Sequence, residues 1–95
     1  ASTITMQLAR NLYFGYKQNI NRKIKEALTA IQIERTYSKD EILDMYLNIT
    51  FFGNHAYGIK AAAKRYFDKE VEDLDINEAA LLIGLLKGQT YYSPI

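Results

Sequence analysis

The chain has 95 residues, 48% hydrophobic and 24% charged, with one proline and no cysteine, a composition that fits one folded helical domain and excludes disorder, disulfides and thiolate metal sites. The formal charge is +1, from 12 basic and 11 acidic residues, so the basic excess of a typical nucleic-acid binder is missing and no nucleic-acid partner is expected. The longest apolar run, AALLIGLLKG, is too short to cross a bilayer.

The first helix is predicted from Ser2 or Thr3, either of which can cap it, to about Tyr13, before Gly15. Within STITMQLARN, at about 100° per residue, Ile4, Leu8 and Leu12 share one arc, and Thr3, Gln7, Arg10 and Asn11 share the adjacent one. The polar set combines hydroxyl, amide and guanidinium groups suited to phosphate and sugar oxygens, and Ser2-Thr3 would open a helix N-terminus to an anion. A solvated face fits the same four residues. The run NLYFGYK then places Tyr13, Phe14 and Tyr16 between Arg10 and Lys17, which suits either a core cluster or a membrane interface.

A second helix is predicted after Asn21, ending near Tyr37, with Ile24, Ala27, Leu28 and Ile31 as its core stripe. Its opening, NRKIKEA, is unusual. Arg22, Lys23 and Lys25 stand near the N-terminal end, where the helix dipole disfavours cations by a few tenths of a kcal/mol each. Arg22 and Lys23 stand four and three residues before Glu26, opposite the apolar stripe. Two readings fit: a wet face with ion pairs at helical spacing, or a cationic site for an anionic ligand with one carboxylate held inside it.

SKDE is a capping box, with Ser38 as N-cap and Glu41 returning the bond, and the short helix it opens is expected to bury Ile42, Leu43, Tyr46 and Leu47. NITFFGNHAYG reads as a loop. His55, inside it, lacks acidic or histidine neighbours at ligand spacing and reads as a loop residue, so no protein metal site is expected. A fourth helix follows on Ile59, Ala62, Ala63, Tyr66 and Phe67. DINE opens the last helix with Asp75 as N-cap, Gly88 ends it, and AALLIGLL is apolar all round, which marks it as the central buried element. The fold class is all-α. No GxSxG, P-loop or zincin pattern occurs.

The order of motifs resembles the glycosyltransferase (transglycosylase) domain of class A penicillin-binding proteins and monofunctional transglycosylases. STITMQLARN resembles the family's second motif, STxTQQxxKN, with Met6 in place of its first glutamine and Arg10 in place of its lysine. RKIKEALTAIQIE resembles the third, SKDEILDMYLN the fourth and YGIKAAAKRYF the fifth; EAALLIGLLKGQTYYSP is similar to the closing helix and the loop after it. The resemblance implies a lysozyme-like, two-lobed domain partly sunk in the outer face of the bacterial cytoplasmic membrane, within the cell envelope. It implies polymerisation of lipid II onto a lipid-linked glycan chain, with inversion and a polyprenyl pyrophosphate leaving group. Moenomycin is the implied inhibitor and the membrane surface an implied partner.

Position by position, the resemblance makes Glu26 the second essential glutamate, near the leaving pyrophosphate. It makes Arg22 and Lys23 the pyrophosphate cations, and Ser2, Thr3, Gln7, Arg10 and Asn11 the donor-site lining. Lys87 falls at the cleft edge, and Thr90 where relatives carry a contributing hydroxyl. No tightly bound cofactor is implied, though a divalent cation, Mg or Mn, suits the substrate pyrophosphate. The family's first motif, EDxxFxxHxG, which supplies the principal base, has no counterpart between Ala1 and Ile95. The expectation is therefore a partial domain that does not polymerise alone, and that self-associates through uncovered apolar faces. Its alternative is a catalytically incomplete module that binds lipid pyrophosphate or moenomycin.

Overall fold

The computed structural model describes residues 1–51 and 55–87, which form an all-α arrangement of five helices and two short 3-10 turns. The helices are α1 (Thr3–Leu12), α2 (Ile20–Thr36), α3 (Lys39–Phe51), α4 (His55–Phe67) and α5 (Ile76–Ile83). The turns are Val71–Asp73, before α5, and Gly84–Leu86, after it. No strand occurs among the described residues. The predicted terminator Gly88 lies outside them.

Side chains written into the sequence fix the helix starts. The Ser2 hydroxyl accepts from the Thr5 amide at 3.2 Å, and the Asn19 side chain accepts from the Arg22 amide at 2.9 Å, so α2 begins before the predicted point. Ser38 and Glu41 close the expected box at 3.2 and 2.8 Å, and Asp75 and Glu78 close a second at 2.7 and 3.0 Å. Between α1 and α2 the chain turns at Gly15, whose φ of 93° lies where a side chain would be strained.

The core runs through the middle of this set. Leu8 and Leu12 from α1, Ile33 from α2, Met45 from α3, Ala63 from α4, and Ala80 and Ile83 from α5 are all buried in one cluster. Here α1 lies against α2 and α3, and α2 packs against α5. Ala9 of α1 and Ala30 of α2 are fully buried, small residues where helices approach closely.

Several packing expectations are corrected. The apolar stripe on α2 is not its core face: Ile24 is 53% exposed, Leu28 44% and Ile31 46%, whereas Arg22, Glu26, Thr29, Ala30 and Ile33 are buried. The small Thr29 and Ala30 let α1 sit close on that face, and the bulkier stripe is left pointing away. In α3, Met45 takes the core position three residues after Ile42, so Leu43 and Leu47 face outward. The predicted loop is helical as far as Phe51, and α4 starts again at His55. The Asn48 amide donates to the Leu86 carbonyl, which holds the end of α3 against the second turn. Finally, the predicted last helix is not buried all round, because Leu81 of α5 and Leu85 of the turn that follows it are exposed.

Candidate functional site

The polar group with the least ordinary surroundings is the one that opens α2. Arg22 is 9% exposed and Glu26 1%, although both are charged side chains one helical turn apart. They do not form an ion pair with each other. Arg22 instead meets Glu72 on the turn before α5, Nη2 to Oε2 at 3.1 Å, and its guanidinium lies 4.6 Å from the centre of the Tyr13 ring. Arg22 Nε, Arg22 Nη1 and Glu26 Oε2 are buried without a hydrogen-bond partner among the described residues. Each such orphan costs about 1–3 kcal/mol, more when the group is charged. Arg22 and Glu26 are therefore not part of a wet face with an ion pair between them, whereas Lys23 is exposed.

Tyr13 and Thr29 complete this environment. The Tyr13 hydroxyl lies 2.9 Å from the Thr29 hydroxyl, in a fully buried contact between α1 and α2. Burial raises the Tyr13 phenol above its ordinary value; the Thr29 hydrogen bond and the Arg22 charge oppose the rise, and the Glu26 charge adds to it. Lys25 stands beside them, 5.6 Å from the same ring, with Nζ donating to the Glu72 backbone carbonyl at 2.6 Å. Its pKa is lowered, first by desolvation and then by the Arg22 charge. Lys23 is exposed, and its side chain makes no hydrogen bond or ion pair among the described residues.

The other sequence-predicted residues stand apart from this group. Thr3 and Arg10 are exposed and Gln7 and Asn11 half-buried, on the side of α1 away from Thr5, Leu8, Ala9 and Leu12. No hydrogen bond or ion pair among the described residues joins them to Arg22, Lys23 or Glu26. Ser2 caps α1, and its backbone amide donates to Glu34 at 2.7 Å. It also lines a cavity of about 500 Å³ with Ile4, Thr5, Glu34, Tyr37, Lys39, Asp40, Ile42 and Leu43. That cavity contains none of Arg22, Lys23 or Glu26, and it is more apolar than a pyrophosphate would need. Lys87 pairs with Glu41 at 3.3 Å and lies 5.5 Å from the Tyr37 ring. Thr90 and the side chain of His55 lie outside the described residues.

A divalent cation held with the substrate pyrophosphate would find the buried Glu26 carboxylate one turn of α2 from Arg22. Glu26 offers one buried carboxylate oxygen, and no three acidic or histidine side chains gather among the described residues. Sequence reasoning missed Glu72, Tyr13 and Thr29. Thr29 could have been found, since it falls on the same arc of α2 as Arg22 and Glu26. Glu72, fifty residues away from Arg22, carried no such signal.

Set against known families, residues 1–95 match the one described as transglycosylase. The chain belongs to the transglycosylase family. Among its relatives, this transglycosylase chain is 50% identical over 94 residues to penicillin-binding protein 1F of Bacillus subtilis, covering 99% of this chain and 13% of that protein. It is 52% identical to penicillin-binding protein 1A of Aquifex aeolicus over 93 residues, 98% of this chain and 13% of the relative. To penicillin-binding protein 1A of Escherichia coli it is 48% identical over 95 residues, 100% of this chain and 11% of the relative. The transglycosylase chain thus spans only a small part of the length of the curated relatives it matches. Its second motif lies along α1, its third along α2, and its fourth and fifth on α3 and α4. Arg22 and Glu26 thus lie in the segment of α2 that resembles the third motif.

Proposed function

We infer that this chain forms the pyrophosphate-facing part of a peptidoglycan glycosyltransferase, which polymerises glycan chains from lipid II at the outer face of the bacterial cytoplasmic membrane. The observation that carries the reading is the burial of Arg22 and Glu26 with three polar atoms unpaired among the described residues, at the positions where the transglycosylase resemblance puts a cation and a glutamate. Buried polar atoms of this kind are rare in folded proteins, and a ligand that brings the missing partners is one account of them.

In the proposed reaction, the acceptor sugar's hydroxyl oxygen attacks the anomeric carbon of the lipid-linked chain. The carbon–oxygen bond to the pyrophosphate breaks, and the hydroxyl proton passes to a carboxylate base. Negative charge grows on the departing pyrophosphate lipid, so cations placed there lower the barrier. Arg22 and Lys23 are assigned to that charge, and Glu26 to the ordering of groups around it. Thr3, Gln7, Arg10 and Asn11 line the donor's sugar and phosphate oxygens, with Ser2 at the head of the helix that carries them. Lys87 and Thr90 are assigned to the cleft edge.

The test is calorimetric binding of moenomycin, or of a soluble lipid II analogue, to the chain. Lys23 is exposed and unpaired, so Lys23→Ala leaves the fold intact; a tenfold or larger loss of affinity would support the assignment, and unchanged affinity would reject it. The second reading, binding without polymerisation, gains from this chain any result in which moenomycin binds while glycan synthesis from lipid II is undetectable.

A further inference from the structure

We propose that Glu72 is a positioning residue for Arg22, holding its guanidinium at the orientation that receives a pyrophosphate; this rests on the reading of Arg22 as a pyrophosphate cation. The turn Val71–Asp73 is joined to the start of α2 in two places. The Glu72 carboxylate takes Arg22 Nη2 at 3.1 Å, and the Glu72 carbonyl takes Lys25 Nζ at 2.6 Å. The guanidinium lies over the Tyr13 ring, 4.6 Å from its centre, and the Glu72 bond holds Nη2, so two contacts restrain it. Tyr13 is itself held by Thr29. With Nη2 held by Glu72, Nε and Nη1 remain buried and without a hydrogen-bond partner among the described residues, so an anion reaches them only where the site opens to admit it. A guanidinium held in this way loses little freedom when an anion arrives, which is how preorganisation favours binding.

Glu72 is half-exposed, so its carboxylate has no need of Arg22 for its own solvation. Its charge also makes the proposal decidable by sign. An acidic side chain that merely sits near the site repels a pyrophosphate, and its removal tightens binding. One that aims the arginine has the opposite effect, because the guanidinium swings free without it. Glutamine keeps a carbonyl oxygen that accepts from Nη2 while removing the charge.

The experiment measures moenomycin affinity by calorimetry for the chain and for Glu72→Ala, Glu72→Gln and Lys23→Ala, together with the Arg22 Nε–H resonance in nitrogen-edited NMR spectra. Glu72→Ala is expected to weaken binding about fivefold and to broaden or lose the Arg22 resonance, while Glu72→Gln recovers most of both. Tighter binding in Glu72→Ala, or unchanged binding with an unchanged resonance, overturns the positioning role. If Lys23→Ala weakens binding and Glu72→Ala does not, the positioning role alone fails. If Lys23→Ala has no effect, or the chain does not bind moenomycin, the pyrophosphate reading fails and the role of Glu72 falls with it.

Discussion

Glu26 sets a conflict between stability and function in a single side chain. Its carboxylate is 1% exposed, with Oε2 unpaired, and Arg22 turns toward Glu72 rather than toward it. A buried charge without a partner destabilises the fold, so the neutral isostere should relieve the cost. Glu26→Gln is expected to stabilise the chain by about 1 kcal/mol in urea unfolding. A destabilised Glu26→Gln would mean that the carboxylate has a structural partner after all. Thr29 makes the reverse case, because its hydroxyl satisfies the buried Tyr13 phenol. Thr29→Val keeps the shape and orphans that group, at an expected cost of about 1–3 kcal/mol by the same measurement.

At the level of the helix, α2 has two usable faces, and burial distinguishes them cleanly. Ile33 is fully buried and Ile24 mostly exposed, so Ile33→Ala should cost about 2–5 kcal/mol and Ile24→Ala less than about 1. Equal costs would restore the stripe as the core face. Periodicity located α2 but pointed it the wrong way, because spacing reports that a face is apolar and not which neighbour reaches it. The neighbour here is α1, and it selects the small Thr29 and Ala30. Caps were far more legible. Ser38 with Glu41 and the Asp75 cap form as read, Ser2 is the one used of the two caps offered for α1, and Glu78 adds a return bond to Asp75, all within three residues along the chain.

The capping boxes also set a pH dependence. Backbone hydrogen bonds from Ser38 and Asp75 hold Glu41 and Glu78 below the ordinary glutamate value, with Lys87 and Lys69 adding to the shift. Below that value the unfolded chain binds more protons than the folded one. The stability these groups supply is therefore complete above the ordinary glutamate pKa, near 4.5, and is lost as pH falls through the lowered folded values. Acid unfolding followed by circular dichroism should begin at higher pH in the wild type than its burial alone would give. The double variant Glu41→Gln, Glu78→Gln should have a flatter profile across that window, and an unchanged profile would remove the caps from the account.

Across the whole molecule, the close approach of α2 and α5 depends on one glycine. A Cβ at Gly84 would run into the Tyr37 hydroxyl, which donates to the Ala80 carbonyl at 2.7 Å. Gly84→Ala should cost about 1–3 kcal/mol, and adding Tyr37→Phe should recover part of it, a coupling that thermal melts of the two single variants and the double would measure. The family was legible because its motifs are local strings on α1 to α4. The assembly of Tyr13, Thr29 and Glu72 around Arg22 was not, because it joins α1, α2 and the turn before α5 across up to fifty residues of chain.

The central claim is that the charged opening of α2 receives a pyrophosphate, and Lys23 tests it without disturbing the core. Moenomycin binding measured on the wild-type chain and on Lys23→Ala, with helicity checked in both, is expected to show an affinity loss of about tenfold or more. Equal affinity in two equally helical proteins would contradict the claim.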